Sequence, residues 1–378
     1  MSLAIERLRS EGALGAEKLR SFLAGQTFPL VEGTRVTFVY RGKADKINLH
    51  HWIYGLPSAM AFTRLGESDL WYLVIDLPER SRFEYKLEVL SGDRARLIKD
   101  PLNPLVAHNP FGSNSVCHGT GYEVPGWASH DPEARPGEIR ETTVRSRAFS
   151  QRRRVRVYLP ARFRRTRRYP LLIVHDARDY MRFAALRTVL DNLIHRLEIP
   201  PMIVALTNSR ARLTEYADDP RHATFLAEEL LPRLEARYPL MDEPAHRGLM
   251  GASFGAVASL ATAWRYPGRF GRLLLQSGSF AFTDIGEQRR GPAFEPVVRF
   301  VNAFRESPGT PSEKLFVSCG TYESLIYENR SMVPFLQESG LEVRYVEARD
   351  GHNWENWRDR LREGLSWLFP GPLWMVYE

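Results

Sequence analysis

The chain of 378 residues predicts two domains of different texture, an all-β sandwich followed by an α/β domain on a mostly parallel sheet. Three observations predict this. Residues 36–116 carry short alternating runs broken by turn residues, residues 153–348 alternate apolar strand candidates with helical segments, and a stretch rich in Pro, Gly and Asn lies between them. The length also suits two cores rather than one. The expected division is 1–130 and 131–378, with the boundary near residues 126–138.

Taken in order, "MSLAIERLRSEGALGAEKLRSFLAG" mixes charges through its apolar positions. It lacks a signal-peptide core and reads as an amphipathic surface helix, so the expected location is the cytoplasm. The runs "RVTFVYRG", "KINLHHWIYG", "DLWYLVIDLP" and "RFEYKLEVLSGD" then describe an antiparallel sandwich. "KDPLNPLVAHNPFGSNSVCHGTGYEVPGW" suits an irregular return and a linker. Beyond it, "RRVRVYLP", "PLLIVHD", "PMIVALTNS", "RGLMG", "RLLLQSG", "KLFVSCG" and "EVRYVEA" are strand candidates. "FAALRTVLDNLIHRLE", "HATFLAEELLPRLEARY", "GAVASLATAWRY" and "NRSMVPFLQESG" are helical. Strands alternating with helices imply a sheet covered on both faces, with its ligand site beyond the carboxyl ends of the strands.

Composition narrows the classes of function. No apolar run is long enough to span a bilayer, so no membrane partner is expected. The net charge is +7, from 52 Lys+Arg against 45 Asp+Glu. "QRRRVRVYLPARFRRTRRYP" resembles a nucleic-acid patch, but Arg154 and Arg156 alternate with Val155 and Val157 on a strand, and Arg164, Arg165, Arg167 and Arg168 occupy a solvated turn. No nucleic-acid partner follows; an anionic small substrate does suit a net positive protein. Two cysteines, Cys117 and Cys319, support neither a disulfide framework nor a zinc site, and Cys319 reads as a buried strand residue. No bound metal or other cofactor is expected, since HExxH and paired-cysteine spacings do not occur.

Gly251-Ala252-Ser253-Phe254-Gly255 is a GxSxG. Three fixed positions match by chance in about one chain in eight of this length, so the context must decide. "HRGLM" before it can form a strand and "AVASLATAW" after it a helix, which is the strand-turn-helix a nucleophile elbow needs. Gly251 and Gly255 then have a reason, because side chains two positions either side of the serine would collide as strand and helix approach. Ser253 is the expected nucleophile. It needs a base, and in this architecture the order is serine, acid, histidine. Of the ten histidines only His352 follows Ser253. The acid belongs on a strand-end loop between them; Glu323 is favoured, with Asp284, Glu328 and Asp350 as rivals. For the oxyanion hole, Phe254 supplies one backbone NH, and Ala177 or Arg178 after "LLIVHD" the second.

The ordered set "RRVRVYLP", "YPLLIVHDARDY", "LDNLI", "RLTEY", "FLAEELLPRLEARYP", "RGLMGASFGA", "RFGRLLLQSGSF", "CGTYESLIYENR" and "GHNWENWRDRL" resembles the esterase family of the α/β-hydrolase superfamily. "QTFPLVEG", "DLWYLVIDLP" and "KDPLNP" extend the resemblance to the enterochelin (iron–catecholate siderophore) esterases, over most of the chain. It implies an α/β-hydrolase domain preceded by an early-set, immunoglobulin-like sandwich, and a cytoplasmic serine hydrolase that cleaves a ferric siderophore ester to release iron. Ser253 is then nucleophile, His352 base and Glu323 acid. The sequence departs from the family at Ala177 and Ala256, where glycine is usual, and at Ala281-Phe282, where an aromatic pair follows "QSGSF".

An anionic substrate calls for arginines on strand-end loops. Arg178, Arg182, Arg210 and Arg212 qualify, and Trp354 beside His352 offers an aromatic wall. "RLTEY" can instead hold the active-site loop by an internal ion pair, and Trp354 with Trp357 can anchor the last helix. Two other readings remain open: an esterase of feruloyl or acetyl sugars with Trp52, Trp71 and Tyr72 as a glycan platform, and a non-catalytic binding protein on the same scaffold.

Overall fold

In the computed structural model, which describes residues 2–11, 15–283 and 290–372, successive residues of the strand Arg35–Arg41 serve two separate cores. Val36 and Phe38 point inward and pack with Ile47, Leu49, Phe83, Tyr85, Leu87 and Val89. The rings of Phe38 and Tyr85 meet edge-on at 5.0 Å. These residues come from two antiparallel sheets. One contains Leu30–Glu32, Arg35–Arg41, Leu70–Asp76 and Thr63–Arg64; the other centres on Lys46–His51, Arg82–Ser91 and Gly112–His118. Val39 points the opposite way and is buried with Leu70 beneath Ile5, Leu8 and Leu19. The expected surface helix is therefore two helices, Ala4–Ser10 and Ala16–Ala24, whose apolar stripes cover a sheet face. Trp71 is buried with its Nε1 donating to the Gly42 carbonyl, whereas Trp52 is exposed.

The chain divides into two units. The sequence anticipates one boundary near 126–138; the division instead follows Val124, and Gly320–Glu323 and Ala348–Asn353 belong with the first unit. The reason is local bonding within that unit: Tyr54 NH donates to the Tyr322 carbonyl and Arg82 NH to the Arg349 carbonyl, both at 2.8 Å.

The second unit is built on eight strands: β1 (Glu138–Ser146), β2 (Gln151–Leu159), β3 (Leu171–Val174), β4 (Ile203–Leu206), β5 (Arg247–Ala252), β6 (Arg272–Gln276), β7 (Lys314–Gly320) and β8 (Glu342–Ala348). Their spatial order is β1-β2-β4-β3-β5-β6-β7-β8. β1 and β2 are antiparallel, β2 is antiparallel to β4, and the pairings among β4, β3, β5, β6 and β7 are parallel. Alternation sorts the side chains between two cores. Ile173, Leu249, Leu275 and Val317 face one, while Leu172, Met250, Leu274 and Phe316 face the other. Helices α1 (Ala177–Phe183), α2 (Leu186–His195), α3 (Phe254–Arg265), α4 (Glu295–Glu306), α5 (Ile326–Glu338), α6 (Trp354–Asp359) and α7 (Leu361–Leu368) accompany the sheet. The alternation argument does not single out α4, which buries Val297, Phe300, Val301 and Phe304. Cys319 is buried in β7. Among the described residues no helix is long and apolar enough to cross a membrane.

Candidate active site

The last residue of β5 leads directly into Ser253, and α3 starts one residue later. Ser253 has φ 58° and ψ −121°, a conformation that side chains rarely adopt and that surrounding structure must enforce. Its NH continues the pairing to the Gln276 carbonyl (2.9 Å), and its carbonyl accepts from Ala256 and Val257 in the first turn of α3. The neighbouring glycines are steric necessities. A Cβ on Gly251 would lie 2.3 Å from the Gly255 carbonyl oxygen, and one on Gly255 would lie 3.2 Å from His175 Cβ. Ser253 Oγ is 3.0 Å from Ser279 Oγ. Ser279 lies in the quoted "QSGSF" but was not among the expected site residues; only the neighbouring ends of β5 and β6 reveal it.

Phe254 NH, at the first position of α3, finds no acceptor among the described residues, as expected for the first turn of a helix. The second donor expected from the loop after β3 is placed differently. Ala177 NH is taken by the Thr207 carbonyl (3.0 Å), because the loop after β3 continues to bond the end of β4. Arg178 NH donates to Asn208 Oδ1 (2.9 Å), a side-chain partner that can rotate away.

Arg212 is committed to the scaffold. Its Nε donates to Asp176 Oδ2 (2.7 Å) and its Nη2 to the Ala252 carbonyl (3.2 Å), tying the loop after β3 to the residue before Ser253. Burial raises the Asp176 carboxyl, and Arg212 opposes that shift. Trp354 is not an open wall: it is buried, edge-on to Tyr180 at 5.2 Å and to Trp357 at 4.7 Å, and so anchors α6. Arg178, Arg182 and Arg210 are exposed, and the Arg182 guanidinium lies 5.1 Å from the Phe183 ring centre.

In the first unit, His352 Nδ1 and Glu323 Oε2 are 2.5 Å apart. Glu323 is 3% exposed, and its other oxygen accepts from Gly320 NH (2.5 Å), so the carboxylate has one fixed orientation toward the ring. The rivals are engaged elsewhere. Asp350 accepts from Arg82 Nη1 (3.1 Å), Gly351 NH and Asn353 Nδ2 (both 2.7 Å), and Glu328 accepts from Arg290 (2.5 Å). Asp284 lies outside the described residues. Arg82, only 2% exposed, also donates to Asn353 Oδ1 (3.0 Å) and thus grips both residues that bracket the His352 turn. Ser81 Oγ and Tyr322 OH are 2.6 Å apart, which fixes the residue before Glu323. Nothing in the local sequence around Arg82 announces this role.

Beneath the elbow a buried polar chain supports the loop after β3. His175 Nε2 is 3.0 Å from His222 Nε2 and its Nδ1 is 3.0 Å from the Met250 carbonyl oxygen. His222 Nδ1 lies 3.8 Å from Glu215 Oε2, which also accepts from Arg153 Nη2 (2.5 Å). Burial, and next the neighbouring His222, drives the His175 imidazole down to about 3. Burial works to raise the Glu215 carboxyl, but His222 and Arg153 prevail and hold it at about 2. Among the described residues no group of three or more His, Cys, Asp and Glu could hold a metal ion.

Residues 146–368 match the family described as "Putative esterase", more than half of the chain, and the chain belongs to that family. It is 26% identical over 298 residues to the iron(III) enterobactin esterase of Escherichia coli O6:H1 (strain CFT073), covering 74% of this chain and 70% of that protein. It is 29% identical over 237 residues to the uncharacterised protein YjcH of Bacillus subtilis (strain 168), covering 61% of this chain and 97% of the relative. The crystal structure of the Shigella flexneri enterobactin esterase in the presence of enterobactin superposes with a TM-score of 0.72 at 21% identity, over 92% of this chain and 97% of that one.

Two outcomes follow from this geometry. Arg82→Met leaves Asp350 buried without its cation and should cost about 3–5 kcal/mol in urea unfolding. Arg82→Met combined with Asp350→Asn should cost clearly less than the sum of the single changes; additive losses would reject the pairing. In the unfolded chain histidine and glutamate take up protons near pH 6.5 and 4.5. Both folded values are lower, so stability is complete above about pH 6.5 and falls as pH drops toward 3. Between pH 7 and 5 the wild type should lose more unfolding free energy than His175→Gln, and equal losses would remove His175 from the account.

Proposed function

We propose that this chain is a serine esterase that hydrolyses ester bonds of a ferric catecholate siderophore in the cytoplasm and so releases iron. The observation that carries the enzyme reading is the Ser253 elbow: a strained serine between β5 and α3, with the Phe254 NH available beside it. Membership of the esterase family and the similarity to iron(III) enterobactin esterases support the reaction and the substrate class. The first unit is proposed to be the early-set, immunoglobulin-like domain that accompanies such esterases.

In this reading Ser253 Oγ attacks the ester carbonyl carbon while His352 Nε2 takes its proton. Glu323, held 2.5 Å from Nδ1, keeps the ring oriented and stabilises the imidazolium. The negative charge on the tetrahedral oxygen falls to Phe254 NH and, once Asn208 turns aside, to Arg178 NH. Collapse of the intermediate breaks the carbon–oxygen bond, and His352 returns the proton to the departing alcohol. Water, deprotonated by the same histidine, then cleaves the acyl-enzyme and restores Ser253. The iron arrives and leaves with substrate and product.

A fluorophosphonate probe should label the wild-type protein and leave Ser253→Ala at background; equal labelling of both would reject the nucleophile. Because only the unprotonated imidazole accepts a proton, kcat/KM should fall on acidification from pH 8 to pH 5, and a flat profile would contradict a histidine base. Glu323→Gln should lower kcat on the order of 10³–10⁴-fold with unchanged circular dichroism, whereas an undiminished rate would move the acid to another residue. Mass spectrometry of products from ferric enterobactin, feruloylated and acetylated sugars and aryl esters, run in parallel, identifies the substrate class. Turnover confined to the sugar esters would replace the siderophore reading.

A further inference from the structure

The hairpin of β1 and β2 runs past the end of β4, because Arg156 is paired with Leu206, the last residue of β4, and four or more residues of β2 extend beyond it. On this extension Arg153 and Val155 face the buried side, while Arg152, Arg154 and Arg156 face the other. Arg178 at the start of α1 and Arg210 in the loop after β4 close the same space, a cavity of about 870 Å³. Among the described residues Glu141 is the only carboxylate on its wall, and it reaches Arg154 at no closer than 3.9 Å with both side chains exposed.

Some arginines of this unit are paired at short range, as Arg153 on the same wall with Glu215, Arg212 with Asp176 and Arg330 with Glu347. In this basin, among the described residues, Arg152, Arg156, Arg178 and Arg210 make no ion pair. Like charges crowded on a concave wall raise the local potential and repel one another, and a polyanion relieves that repulsion. Guanidinium groups also bind phenolate and carboxylate oxygens in pairs and stack on aromatic faces. The volume suits a whole small-molecule ligand.

Position decides which part of a substrate this is. Between β2 and β5 lie β4 and β3, three interstrand steps of about 4.8 Å each, so the β2 wall of the basin, with Arg152 and Arg156, is roughly 10–15 Å from Ser253, while Arg178 and Asn208 form its nearer side. That is too far for the ester being cut and right for another arm of a large, branched ester. We propose that the basin is an anion subsite that holds the polyanionic aromatic portion of the substrate remote from the scissile bond. The proposal rests on the esterase reading above and adds the residues that would select a large anionic ester over a small neutral one.

The test compares the wild type with Arg152→Gln/Arg156→Gln, two positions outside the proposed catalytic machinery. Three readouts are used: hydrolysis of ferric enterobactin, hydrolysis of neutral p-nitrophenyl butyrate, and binding of the ferric complex of 2,3-dihydroxy-N-benzoyl-serine, which contains no ester, by tryptophan quenching over a range of salt. The expected result is a KM for ferric enterobactin raised about 10-fold or more, a Kd for the ferric complex raised alongside with a shallower salt dependence, and butyrate turnover unchanged. An unchanged Kd, or an equal loss on butyrate, overturns the subsite. If wild type cleaves both esters without dependence on these arginines, the subsite fails and the esterase reading stands. If it cleaves neither but binds the ferric complex through them, the subsite stands and the esterase reading fails.

Discussion

The close approach of β5 and α3 governs much of the second unit. A strand that ends at Ala252 and a helix that starts at Phe254 leave one residue to reverse the chain, and the backbones then touch where Gly251 meets Gly255. Any Cβ at Gly251 would enter the space of a carbonyl oxygen, so the turn exists only with glycine there. From that constraint come the strained Ser253, the open Phe254 NH and the placement of the loop after β3, where His175 lies against Gly255. The surrounding groups share the cost of the strain. Arg212 clamps Asp176 to Ala252, and the His175–His222–Glu215–Arg153 chain fills the space below with hydrogen-bonded and charged partners instead of apolar side chains.

The residues proposed as base and acid are stabilised by a different set of contacts. Glu323 and His352 lie on short segments that belong with the N-terminal part of the chain, where Arg82 grips Asp350 and Asn353 and Ser81 meets Tyr322. The first unit therefore has a physical role in orienting the imidazole whether or not it touches a ligand. Burial makes this orientation strict, since a guanidinium and a carboxylate out of water must satisfy each other or destabilise the fold.

Two sets of arginines differ in their surroundings. Arg82, Arg153 and Arg212 are buried or half-buried and act as fixed cross-links. Arg152, Arg154, Arg156, Arg178 and Arg210 are mostly exposed and, among the described residues, have no carboxylate closer than 3.9 Å, which suits the proposed anion subsite. The alternation along β2 produces both at once, with Arg153 turned to the interior between Arg152 and Arg154 turned outward. A sequence reading of that run as a solvated strand face assigns its direction correctly but cannot see the wall opposite it.

What the sequence by itself determined is what local order can carry. Period-2 alternation specifies the strands and their two faces, the 3.6-residue repeat most of the helices, and the spacing around Ser253 the elbow, because each depends only on neighbours along the chain. The helix α4 and the burial of the N-terminal helices escaped it, since each depends on what packs above a face. Tertiary structure alone decided the rest. It brought Glu323 to His352 across 29 residues and Arg82 to Asp350 across 268, committed Arg212 to Asp176, buried Trp354 among Tyr180 and Trp357, and occupied the Ala177 NH. In each case the physical reason is the same: a side chain's role depends on which strands and loops become neighbours, and strand order in a sheet is not written in any local stretch of sequence.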